Sequence, residues 1–158
     1  LNKFNFRIVE KEYFKDDHSI FYSCIKDIAK KDNASLEKLY DHNKSIFLKY
    51  INYHKKLINE INIKIENKKK KSNLYLFGAH IFSQYLINFG LNINDIKCIL
   101  DNDRNKQGKR LYGTNLKVFS PIILKEEEQP TVILKAGVYT NEIKDDIIRN
   151  INSQTIFL

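Results

Sequence analysis

The sequence predicts an α/β fold: an open parallel sheet of about five strands with helices on both faces, preceded by a β-hairpin and a long helical extension. Three observations carry this. A wholly apolar run, Leu74-Tyr75-Leu76-Phe77, stops at Gly78-Ala79 and gives way to a helical pattern. A second apolar run, Ile96 to Leu100, ends on Asp101-Asn102-Asp103. From there to Leu158, strand-like and helix-like segments alternate, the mark of βαβ units. A strand, a glycine turn into a helix, then a strand ending in an acid is the layout of a Rossmann-like nucleotide-binding unit.

Residues 4–9 and 20–25 read as two strands joined by a polar turn containing Lys15-Asp16-Asp17-His18. A lone hairpin is marginal in water, so residues 1–31 are expected to complete a sheet belonging to a neighbouring module. From Ser35, a candidate N-cap with Lys38 where a capping box would want Glu or Gln, the apolar period becomes helical. Leu36, Leu39, Tyr40, Ile46, Phe47, Tyr50, Ile51, Leu57, Ile58, Ile61 and Ile65 mark one helix of about 30 residues and about 45 Å, uninterrupted by Gly or Pro. Residues 32–72 therefore read as a helical linker that bridges modules or pairs with a second copy in a homodimer. The aromatic stripe Tyr40, Phe47 and Tyr50 is expected to pack. Lys68 to Asn73 closes the helix, and residues 73–158 form the nucleotide-binding domain. Within it the pattern predicts strands at 74–77, 96–100, 116–119, 131–135 and 155–158. Helices are predicted at 81–89 and 141–150, with a helical turn after Pro121, a residue suited to a first turn.

Composition narrows the partners. The net charge of +8 sits almost wholly in residues 1–72, including the run Lys68 to Lys71. The chain is rich in Lys, Asn and Ile throughout and lacks a nucleic-acid-reading motif, so the run reads as a solvated linker rather than a polyanion site. Cys24 and Cys98 lie far apart within apolar runs and read as buried thiols of a reducing compartment. No apolar stretch reaches the roughly 18–20 residues of a membrane span, and no secretory leader precedes the first strand, so the expected location is the cytoplasm. The chain has no methionine and begins at Leu1, which reads as a fragment of a longer protein whose catalytic machinery can lie outside it.

The candidate site follows from the strand ends. Gly78 and Ala79 stand where a helix N-terminus offers backbone amides to an anion. The dinucleotide fingerprint needs two further glycines, and here His80 and Ser83 replace them, which argues against tightly held NAD or FAD. Asp101, 23 residues after Gly78, is spaced to meet a ribose hydroxyl, with Asn102 beside it. The same acids equally read as a turn whose side chains bond their own backbone. A calcium loop fails, because Lys106 and Tyr112 occupy the positions of its glycine and glutamate. Lys106, Lys109 and Arg110 around Gly108 form a basic loop at the sheet's C-terminal edge, able to hold phosphate oxygens or simply face solvent. Gly137 and Tyr139 follow the fourth strand of the domain at the expected switch point, and Glu142 reads as facing the same crevice or answering the helix dipole. Neither a metal-ligand spacing among His18, His42, His54 and His80 nor a nucleophile motif is present.

At these residues the chain resembles the C-terminal domain of S-adenosylmethionine-dependent sugar C-methyltransferases. The matching pieces are Phe77-Gly78-Ala79, Asp101-Asn102-Asp103 with Lys106-Gln107-Gly108-Lys109, Tyr112-Gly113-Thr114, Ser120-Pro121 and Glu142-Ile143. The resemblance covers residues 74–158, and residues 1–72 look like the family's junction from a preceding methyltransferase domain. It implies a whole enzyme that methylates the carbon beside a keto group on a nucleotide-linked deoxysugar, dTDP-linked among the candidates. A base removes the proton, and the enolate takes the methyl of S-adenosylmethionine. The family's glycine-rich methyl-donor site and zinc ligands are absent from this sequence, so the resemblance implies no cofactor bound here. The expected role is to help bind the nucleotide-sugar through Gly78, Ala79, Asp101, Asn102, Lys106, Gly108, Arg110 and Tyr139. Two rivals stand beside it: a degenerate module serving assembly only, and a nucleotide-sugar-binding domain of another sugar-modifying enzyme.

Overall fold

A computed structural model describes residues 1, 4–15, 19–27 and 36–158. The proposed cap Ser35 and the turn residues Asp16, Asp17 and His18 lie outside these, as does the side chain of Lys38. The chain divides into two compact units, Leu1–Lys49 and Tyr50–Leu158.

In the first unit, β1 (Phe6–Phe14) pairs antiparallel with β2 (Ser19–Lys26), with a bulge between Ile8 and Glu10. Every residue of β1 is exposed, including Phe6, Ile8, Val9, Tyr13 and Phe14. Apolar side chains therefore project from a ribbon that has no third strand among the described residues. Helix α1 (Leu36–Lys68) begins here and runs for 33 residues into the second unit. Of its aromatic stripe, Tyr40 and Phe47 are not packed, being 64% and 61% exposed, whereas Tyr50 meets the His54 ring edge-on with centroids 4.3 Å apart. Period alone marks a helix's apolar face but not whether a neighbour covers it.

The second unit is built on a five-stranded sheet in the order β5-β4-β3-β6-β7, all parallel. Its strands are β3 (Leu74–Phe77), β4 (Ile96–Leu100), β5 (Val118–Phe119), β6 (Thr131–Leu134) and β7 (Ile156–Phe157). Central β3 is buried on both faces, which explains its unbroken apolar run. Leu74 and Leu76 face a core layer with Ile99 and Ile133, closed by Leu86 of α2 (Ile81–Asn88) and by Ile58, Ile61 and Ile65 of α1. Tyr75 and Phe77 face the opposite layer with Cys98, Leu100 and Val132, closed by Leu124 and Ile147. Ile96 and Cys98 enter opposite layers although two residues apart. The register shift at Leu74/Tyr75, which leaves Lys97 between the paired residues, accounts for this. The last turns of α1 thus belong to the same unit as the sheet, whereas the sequence reading begins its nucleotide-binding domain at residue 73.

Two elements differ from expectation for visible reasons. β5 does not reach back to Leu116, which bonds the preceding loop instead: Leu111 N donates to Leu116 O at 3.0 Å, while Lys117 bridges Arg110 on one side and accepts from Ile99 N of β4 at 2.9 Å on the other. The last helix is α-helical only as α3 (Thr140–Asp146) and widens to a π-turn over Ile147–Ile151. That turn ends at Asn152, whose side-chain amide donates to Leu124 O (2.7 Å) and Glu127 O (2.8 Å).

The N-terminal rim of the sheet is fastened by Glu127. Its carboxylate accepts from the Tyr75 hydroxyl at 2.5 Å, Asn73 Nδ2 at 2.6 Å and Lys97 Nζ at 2.9 Å. Burial alone would raise the Glu127 carboxyl; these donors outweigh it and hold the group down to about 2. Burial, reinforced by the same carboxylate, pushes the Tyr75 phenol well above its ordinary range. Burial also pushes the Cys98 thiol up to about 11, so it stays protonated and inert.

Candidate functional site

The sheet order places its switch point at the C-terminal ends of β3 and β6. From β3 the chain moves outward to β4 and β5, then returns to β6 on the other side. Crevices of open α/β sheets form there because adjacent loops leave in opposite directions. Four of the segments singled out in the sequence arrive at this edge: the turn after β3, the loop after β4, the basic loop and the turn after β6.

The turn after β3 is filled by the protein's own groups. Gly78 has φ +100 and donates its N–H to Leu100 O at 2.6 Å. A Cβ there would lie 2.1 Å from His80 Nε2, so the His80 ring covers the face that a bound pyrophosphate would approach. His80 Nδ1 accepts from Phe82 N at 3.2 Å, capping α2 from within. Burial lowers the His80 pKa; Asp101 pulls it up and Lys106 pushes it down again, leaving a net decrease and a neutral imidazole at pH 7. With Nδ1 accepting, that neutral ring carries its proton on Nε2.

Asp101 is similarly engaged. It is 6% exposed; its Oδ2 accepts from Ala79 N at 2.7 Å and from Lys106 Nζ at 3.1 Å, while Oδ1 accepts from Asp103 N at 2.9 Å. Asp103 repeats the pattern by accepting from Asn105 N at 2.9 Å. The turn reading of these acids is therefore realised in the structure. A ribose diol would have to compete with three protein donors for the carboxylate. The same geometry fails as a site for S-adenosylmethionine: the amide that would face an anion is taken by Asp101, and the glycine approach is closed by His80. No methyl-transfer step is assigned to these residues.

The remaining residues line clefts on either side of His80 and Lys106. One cleft, of about 280 Å³, is basic: Ala79, His80, Lys106, Lys109, Arg110 and Tyr112 contribute to it. Among the described residues, Lys109 and Arg110 side chains make no hydrogen bond or ion pair. Gly108 holds this loop against β5, with φ +78 and its N–H donated to Val118 O at 2.9 Å. The other cleft, of about 370 Å³, is largely apolar and is lined by Phe77, Phe82, Asp101, Asn102, Lys106 and Tyr139 among others. Of the residues named from sequence, Ala79, Lys106 and Arg110 meet in the first cleft, and Asp101, Asn102, Lys106 and Tyr139 in the second. Gly78 and Gly108 shape the backbone without lining either, and Glu142 lines neither. Sequence reasoning missed Phe82 and Gln84. Their only signal was position in the first turn of the helix after Gly78.

A larger groove of about 760 Å³ lies at the opposite edge, lined by Lys69, Lys70, Lys71, Asn73, Glu127, Glu128 and Gln154 among others. Its charges are mixed, and two of them are already matched: Lys69 pairs with Glu66 (2.8 Å) and Asp95 (3.4 Å), and Glu127 with Lys97 (2.9 Å). Lys70, Lys71 and Glu128 carry the groove's remaining charges, whereas the basic cleft at the C-terminal edge has no acid in its lining. Among the described residues, no group of His, Cys, Asp and Glu is placed to hold a metal ion, and no helix is long and apolar enough to cross a membrane.

Comparison with known proteins adds identity to this geometry. A search of curated proteins finds no match to the chain. Residues 18–157 match the family model described as the C-methyltransferase C-terminal domain, a span that takes in β2, α1 and the whole sheet with its basic loop. The chain belongs to the C-methyltransferase C-terminal domain family.

Proposed function

We propose that this chain is the part of a C-methyltransferase that holds a nucleotide-linked keto-deoxysugar by its diphosphate, in the cleft formed by Lys106, Lys109 and Arg110. The observation that carries the reading is the pair of uncommitted cations at the switch-point edge. Lys109 and Arg110 face a concave surface with no protein anion answering them among the described residues. A diphosphate supplies two anionic groups to answer two cations, and a guanidinium can grip phosphate oxygens bidentately. The basic cleft also meets an apolar one across His80 and Lys106, which suits a ligand with a charged middle and less polar ends. In this reading Gly78, Ala79 and Asp101 support the site by fixing Lys106 and the turn, while Asn102 and Tyr139 line the neighbouring cleft. The chain binds, orients and shields the substrate; deprotonation and methyl transfer belong to residues and a methyl donor elsewhere in the enzyme.

The exposed apolar ribbon β1–β2 and the exposed first half of α1 support a second part of the proposal. They are surfaces for a preceding methyltransferase domain of the same enzyme, with a second copy of the chain along α1 as the alternative. Two free cysteines, one of them buried, and a nucleotide-linked substrate fit a reducing cytoplasm.

The filled glycine turn favours a rival: a module kept for assembly alone. Titration calorimetry with dTDP, UDP, GDP and CDP separates the two. Binding of at least one, weakened about a hundredfold or more by Lys109→Ala with Arg110→Ala, is expected, since each charge-assisted contact contributes about 1.5–3 kcal/mol. Absence of binding by all four leaves the assembly role.

A further inference from the structure

The basic cleft continues on its other side into a third hollow. This hollow, of about 360 Å³, is lined by Ile81, Gln84, Tyr85, Ile87, Asn88, Tyr112, Gly113 and Thr114, and it shares Gln84 and Tyr112 with the basic cleft. Tyr112 is 88% exposed, more than any other large apolar side chain described. It is not on a loose loop. Gly113 turns the chain at φ +77, Thr114 Oγ1 donates to Leu111 O at 3.0 Å and accepts from Leu116 N at 3.2 Å, and Leu111 N donates to Leu116 O at 3.0 Å. An aromatic ring displayed on a tied turn is a preformed stacking surface, because little side-chain or backbone freedom is lost when a flat ligand lies on it. Tyr85, itself 45% exposed, adds a second ring to the hollow. The side chains of Gln84 and Asn88 make no hydrogen bond among the described residues, and each offers a donor and an acceptor together.

Resting on the diphosphate reading above, we propose that the heterocyclic base of the bound nucleotide stacks on Tyr112 and Tyr85, with its edge met by the carboxamides of Gln84 and Asn88. Order along the ligand then follows from adjacency. The base occupies the hollow beside Tyr112 and the diphosphate lies across Lys109 and Arg110. The sugar extends past His80 and Lys106 into the cleft of Phe82, Asn102 and Tyr139. A pyranose suits that last cleft, because its C–H faces pack on aromatic rings while Asn102 is within the lining to meet hydroxyls.

The test compares dTDP, UDP, GDP and CDP with inorganic pyrophosphate, which lacks a base, on the whole chain. Tyr112→Ala is expected to weaken the bound nucleoside diphosphate at least about tenfold while pyrophosphate affinity holds, and Tyr112→Phe is expected to restore it. Gln84→Ala is expected to change the ranking among the four bases. Because Tyr112 is exposed, its variants should keep the parent melting temperature, which circular dichroism checks. Nucleotide affinity untouched by Tyr112→Ala and Tyr85→Ala, but lost in Lys109→Ala with Arg110→Ala, overturns the base site and leaves the diphosphate reading standing. No binding of any of the five compounds overturns both.

Discussion

The turn at Gly78 shows how a few side chains change what a familiar layout can bind. His80 covers the glycine and Asp101 holds the neighbouring amide, so groups that elsewhere meet a ligand here meet each other. Gly78→Ala is expected to destabilise the fold by about 2–4 kcal/mol, from its positive φ and from the clash with the His80 ring. In a His80→Ala background only the backbone part, about 1–2 kcal/mol, should remain; equal losses in both backgrounds, read from urea midpoints, would show that the ring does not press on the turn. Asp101→Ala removes the acceptor for Ala79 N–H, Asp103 N–H and the Lys106 ammonium. It should cost about 2–4 kcal/mol of stability, visible in the same measurement. The spacing from Gly78 to Asp101 was legible in the sequence, and so was the presence of an acid at the strand end. What the acid bonds was not legible, because a ribose-binding carboxylate and a turn-holding one share the same spacing until the neighbouring amides are located.

At the level of elements, α1 has two characters. Its C-terminal half carries Ile58, Ile61 and Ile65 into the core beneath β3, while Leu39, Tyr40, Ile46 and Phe47 in its first half are exposed. Ile65→Ala should therefore lower stability by about 3 kcal/mol through lost burial and the cavity left behind, whereas Phe47→Ala should stay within about 0.5 kcal/mol. Thermal melts of the two variants decide this, and a large loss in Phe47→Ala would mean that its ring is covered in solution. Helical period found the whole element, yet treated its two halves alike, since apolar spacing records a face and not its neighbour. The strand predicted at 116–119 is present, but its shortening to Val118–Phe119 and the π-turn after α3 escaped for a related reason. Both depend on non-local bonds, Arg110 with Lys117 and Asn152 with Leu124 and Glu127, that leave no local pattern.

Across the whole α/β unit, the two rims of the sheet differ in character. Its N-terminal rim is fastened by Asn73, Tyr75, Lys97 and Glu127, and its C-terminal rim displays the basic cleft. Glu127 is held below the ordinary carboxylate range in the folded chain, so its contribution is complete above that range and is lost as the pH falls toward about 2. Urea midpoints should drop between pH 6 and pH 3, with Glu127→Gln less stable than the parent at pH 6 and closer to it at pH 3; a constant gap would contradict the assignment. The alternation of strands and helices, the switch point after the fourth strand of the domain and the arrival of the basic loop at the sheet's C-terminal edge could all be read from period and punctuation. The groove of about 760 Å³, by contrast, lies at the stabilising rim, so size alone does not favour the basic cleft. Amide chemical-shift mapping during titration with a nucleoside diphosphate tests this division most directly. The account predicts changes concentrated over residues 79–84 and 106–114; changes concentrated over residues 69–73 and 127–129 would contradict it.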